Sequence, residues 1–107
     1  MKFPMTMLAA FGFLAGLAHA GDSEVLLYQL AEGTNIEFFQ RAWVTGCTNH
    51  PDRGSKTIKT ITALRGDFDG NNLETQVRVA CVFEDADGNT FPVTEELAER
   101  SGATRVQ

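Results

Sequence analysis

Four oxygen-bearing side chains, Asp85, Asp87, Asn89 and Glu96, stand at the spacing a calcium ion would ask of its ligands. A twelve-residue calcium loop takes ligands at its first, third, fifth and twelfth positions and needs glycine at the sixth for a sharp bend. Here the sixth position is Thr90 and the eighth is Pro92. The chain leading in alternates like a strand where such a loop needs a helix. A second stretch, DFDGNN at 67–72, matches the first three ligand positions but carries Arg78 at the twelfth. Both stretches are therefore expected to be hairpin turns, in which Asp, Gly and Asn serve backbone geometry. A calcium-binding module through Asp85, Asp87, Asn89 and Glu96 is the rival reading.

Other chemistry is sparse. Arg65–Asp67 spells the cell-adhesion tripeptide RGD, abutting a predicted strand. His50 is the one histidine beyond the leader segment, and neither Ser55 nor Ser101 lies in a nucleophile-elbow context. His50 is expected to be a solvated loop residue. Carboxylates are plentiful enough for a glycosidase-type pair, but a short chain leaves little scaffold for a substrate cleft. No cofactor is expected. Phe38, Phe39 and Trp43 form an aromatic cluster. Its expected role is core packing, with a partner-binding surface as the alternative, because a strand would place neighbouring aromatics on opposite sides.

The elements that must position these residues begin after residue 20. The N-terminus has one cation, Lys2, an apolar run too short to span a bilayer, and Ala18-His19-Ala20, a small-residue cleavage site. Residues 1–20 read as a signal peptide and 21–107 as a single exported domain. In that setting the isolated pair Cys47 and Cys81 is expected to form a disulfide. Closing a loop of about 35 residues stabilises by roughly 4 kcal/mol in the chain-entropy picture. No Asn-x-Ser/Thr sequon is present. Fourteen acidic residues outnumber the nine basic ones, and one of those nine, Lys2, is in the leader. This balance argues against nucleic acid or an anionic membrane as partner. No later apolar run is long enough for a membrane anchor.

Along the mature chain the clearest element is TQVRVACVFE at 75–84. Val77, Val79, Cys81 and Phe83 alternate with the other residues there, marking a strand that points Cys81 inward. KTIKTITALRGD is β-branched and reads as the strand before it, and TFPV as the strand after it. Pro92 would put that last strand at a sheet edge. Two Asp-Gly turns joining three strands make an antiparallel meander. EVLLYQL at 24–30 is apolar enough for a buried strand. NIEFFQRAWVTG admits two readings. The favoured one is a strand. The other is a helix at 35–45, with a capping box of Thr34 and Glu37 and a stop at Gly46. TEELAERSG reads as a short helix capped by Thr94 and ended by Gly102, and the last five residues as frayed.

The fold class expected is mainly β: a small antiparallel sandwich or meander with one disulfide and a short C-terminal helix. The alternative is α+β, with one helix at 35–45 packed on the meander. A signal peptide, a short mature chain, a cysteine pair and a meander together resemble small secreted effectors of plant-associated fungi, in particular the MAX (ToxB-like) β-sandwiches. The resemblance is one of layout and carries over only to Cys47 and Cys81; that group's first cysteine lies nearer the mature N-terminus. It implies a secreted, non-enzymatic protein that acts on a host protein as an effector or virulence factor. A small extracellular or periplasmic hydrolase, or a hydrolase inhibitor, is the second expectation.

Overall fold

A computed structural model describes residues 25–106. The signal-peptide reading of residues 1–20 lies outside the described residues. The described chain runs β1 (Leu26–Gln29), α1 (Ile36–Thr48), β2 (Thr57–Arg65), β3 (Gln76–Glu84), β4 (Thr90–Pro92), α2 (Thr94–Arg100) and β5 (Thr104–Arg105). All five strands join one antiparallel sheet. The α+β arrangement, a helix packed on a meander, is thus the one adopted.

The centre is β3. Val77, Val79, Cys81 and Phe83, the apolar set of its two-residue period, are completely buried. One edge of β3 pairs with β2 from Arg65↔Val77 to Thr57↔Glu84, with a bulge between Ile58 and Thr60. Its other edge is shared: β1 takes Gln76–Val79 and β4 takes Val82–Glu84. Between them the backbone of Cys81 would be left unpaired. The chain entering α2 fills that gap. Val93 donates its N–H to the Cys81 carbonyl at 2.9 Å, and the Thr94 hydroxyl accepts from the Cys81 N–H at 2.9 Å. Thr94, expected to cap a helix, therefore caps the central strand, and the N-cap position of α2 is Val93.

The segment 36–48 is a helix, which corrects the favoured strand reading. Ile36, Phe39, Trp43 and Cys47 recur at helical spacing, and all four are buried. A strand would split them between two sides, so the helix wins on apolar area removed from water. The N-cap is Asn35, whose side chain accepts from the Phe38 N–H at 2.8 Å, in place of the expected Thr34–Glu37 box. Gly46 lies inside the last turn instead of closing the helix. A Cβ there would sit 3.3 Å from Leu97, so its small size lets α2 approach α1. By continuing to Thr48, the helix carries Cys47 to Cys81 with Cα atoms 5.8 Å apart, and the disulfide forms. One turn earlier, Trp43 donates Nε1–H to the Ala80 carbonyl at 3.0 Å. Two adjacent links thus bind α1 to β3.

The tail is ordered against expectation. Thr104 and Arg105 pair with β1, and Val106 donates to the Leu27 carbonyl. Gly102, at φ 85°, turns the chain after α2 as expected. Gly66 allows no side chain. Its φ is +85°, and a Cβ would fall 2.6 Å from Leu73 Cδ2 and 2.9 Å from the Asn71 carbonyl. No helix among the described residues is long and apolar enough to cross a membrane.

Candidate functional site

The two acidic stretches fold as near copies of one turn, Asp-x-Asp-Gly-Asn, at opposite ends of β3. Asp67 Oδ1 accepts from the Asp69 and Asn71 N–H groups, and its Oδ2 from the Asn72 amide. Asp85 Oδ1 accepts from the Asp87 and Asn89 N–H groups, and its Oδ2 from the Asn89 amide. Gly70 and Gly88 supply the positive φ each turn needs. Asp85 and Asn89 are thus engaged with each other. Glu96, the supposed twelfth ligand, lies on α2, where one oxygen pairs with Arg100 and the other faces His50. The tripeptide at 65–67 is similarly occupied: Arg65 binds the Leu73 carbonyl and the Glu74 carboxylate, while Asp67 holds its own turn.

These bonds favour the ionised carboxylates. Backbone donation, from Asn71 to Asp67 and from Asn89 to Asp85, holds both acids below the ordinary aspartate value. A depressed native value contributes stability above the unfolded value, about pH 4, that is lost as pH falls through the native one. Wild-type protein is therefore expected to lose urea resistance between pH 5 and pH 2.5 more steeply than an Asp67→Asn/Asp85→Asn variant, read from denaturation midpoints. Equal slopes would contradict this assignment.

The aromatic trio is divided. Phe39 and Trp43 stack in the core with centroids 6.0 Å apart, whereas Phe38, on the outward side of α1, is 63% exposed. A larger exposed apolar group lies at the end of the β2–β3 hairpin. Leu64, Phe68 and Leu73 are 50%, 61% and 50% exposed. Leu64 is the cross-strand partner of Arg78, whose guanidinium lies 6.0 Å from the Phe68 ring and donates to the Arg65 and Gly66 carbonyls. Leu73 packs over Gly66. Sequence reasoning missed this group, because its members are dispersed among turn residues and share no period.

His50 is the second departure, being only 4% exposed. It follows α1, its N–H bonded to the Cys47 carbonyl and its ring 6.0 Å from Phe83. Arg53 ties the loop down by donating to the Thr48 and Lys56 carbonyls. His50 Nδ1 accepts from the Asp52 N–H at 3.1 Å, so the neutral ring carries its proton on Nε2. Nε2 is buried and has no hydrogen-bond partner among the described residues; the nearest carboxylate oxygen of Glu96 is 3.7 Å away. One ligand-capable atom from each of His50, Asp52 and Glu96 falls within 4.8 Å of the others. Asp52 and Glu96 border a recess of about 510 Å³ that is also lined by Lys56, Phe83 and Phe91, with the Lys56 ammonium 4.7 Å above the Phe91 ring. With Nδ1 engaged, His50 has no spare lone pair for general-base work. It offers a donor until that bond is given up.

Comparison of the chain with protein-family models, with curated proteins and with solved structures finds no match.

Proposed function

We propose that this is a secreted, non-enzymatic binding protein, host-directed in the manner of an effector, that acts through protein–protein contact. The observation that carries the reading is the exposed group Leu64, Phe68 and Leu73 arranged about Arg78. Large apolar side chains beside an arginine are the composition of binding hot spots. A monomer gains nothing in stability from leaving them in water. The Cys47–Cys81 disulfide and the absence of a long apolar helix among the described residues are compatible with export. The engaged Nδ1 of His50 weighs against the hydrolase alternative.

The test is capture from a host extract by immobilised mature protein and by a Leu64→Asp/Phe68→Glu variant. Both positions are exposed, so the variant is expected to melt with the wild type. A partner retained by wild type and lost from the variant supports the reading. Equal recovery by both proteins would remove this surface as the contact.

A further inference from the structure

We propose that His50, Asp52 and Glu96 bind one divalent transition-metal ion of the zinc type. The inference is independent of the hairpin surface described above. Its first support is the convergence of three ligand-capable side chains from two elements, the loop after α1 and helix α2. Its second is the burial of an imidazole whose Nε2 is unpartnered and lies 3.7 Å from the Glu96 carboxylate. A buried polar atom without a partner calls for a ligand, water or ion to satisfy it. One nitrogen and two carboxylates suit zinc and its neighbours, whereas calcium and magnesium take oxygen sets.

The three ligand atoms, within 4.8 Å of one another, must close up to hold such an ion. Ligand atoms bound tetrahedrally at about 2.0–2.1 Å are about 3.3 Å apart. The His50 Nε2–Glu96 Oε1 pair, at 3.7 Å, has only to tighten slightly. Asp52 and Glu96 are exposed, so the ion enters from solvent and water completes its shell. Glu96 can keep Arg100 on Oε2 while Oε1 turns to the metal. The positive charge of Lys56, which donates to the Asp52 carbonyl, opposes binding, and the two carboxylates outweigh it. Coordination also has a proton consequence. The metal takes the Nε2 lone pair, so the proton there moves through solvent to Nδ1, and the Asp52 N–H···Nδ1 bond breaks. Asp52 is thus released at the backbone as its side chain swings in.

The experiment titrates ZnCl2 into chelator-stripped, oxidised mature protein, following heat, melting temperature and amide resonances. The expected result is one ion per chain, a melting temperature raised by about 4 °C or more, and a shift of the Asp52 amide signal. Glu96→Gln and Asp52→Asn should each weaken binding at least about ten-fold while the metal-free protein melts cooperatively. Asp85→Asn should bind as wild type does. No heat and no melting shift at about 1 mM zinc would overturn the proposal. So would binding that survives the Glu96→Gln/Asp52→Asn double substitution or disappears with Asp85→Asn.

Discussion

Replacing Cys47 and Cys81 together by alanine is expected to lower the free energy of unfolding by about 4 kcal/mol. For a domain of this size that corresponds to a fall in melting temperature of about 15–30 °C, enough to leave much of the protein unfolded at 37 °C. Much of the effect acts on the unfolded chain, where the cross-link between residues separated by 34 positions restricts the accessible conformations. The rest acts on the native state. Both cysteines are fully buried, and removal of their sulfurs leaves a gap between α1 and β3 where the bridge joins them. Urea denaturation followed by the fluorescence of Trp43 measures the difference, since this sole tryptophan lies one turn from Cys47. The oxidised wild type should also show no titratable thiol before unfolding, as both cysteines are in the bridge. A variant whose midpoint stays at the wild-type value would mean that helix–sheet packing suffices without the covalent link.

Trp43→Ala is expected to cost about 3–5 kcal/mol, the range for deleting a large buried aromatic. Trp43 is among the largest fully buried side chains, stacks on Phe39, and donates to the Ala80 carbonyl on the central strand. Trp43→Phe separates the last contribution. It keeps most of the apolar volume but removes the indole donor from a carbonyl that also faces Thr62 in the β2–β3 ladder, for an expected loss of about 0.5–1.5 kcal/mol. Phe38→Ala, five positions earlier on the exposed side of α1, should change stability by no more than about 0.5 kcal/mol. The contrast is sharp because α1 turns Trp43 into the core and leaves Phe38 on its outward side. Circular dichroism reads all three variants. Similar losses from Phe38→Ala and Trp43→Ala would be inconsistent with the arrangement of α1.

Some of this architecture is local in origin. The alternation of Val77, Val79, Cys81 and Phe83 has only one solution in a strand with one face against the core, and β3 adopts it. The Asp-Gly turns around it follow from what Asp and Asn oxygens do to nearby N–H groups and from the positive φ of Gly70 and Gly88. The meander of β2, β3 and β4 comes out of the same short-range patterns, and the bridge from Cys47 to Cys81 follows from the chain holding just two cysteines. In the segment 36–48 the apolar residues satisfy both a two-residue and a 3.6-residue period, so local pattern cannot choose between them. Burial of Trp43 and Cys47 against an existing sheet makes the choice.

The candidate sites were the least legible part. His50 sits in a polar stretch, CTNHPDRGSK, whose composition says surface. Its burial follows from where Phe83 and α2 come to rest, which no local pattern records. Glu96 is eleven positions beyond Asp85, a spacing that suggests a shared loop. Helix α2 turns it toward His50 and Arg100 instead. Sequence by itself determined the central strand, the turns that flank it and the cysteine pair, because each depends on residues within a few positions or on a single covalent bond. Tertiary structure alone decided the helical state of 36–48, the pairing of the C-terminal tail and the company of His50. Those outcomes depend on burying surface between segments far apart in the chain, and that energy does not exist until the segments meet.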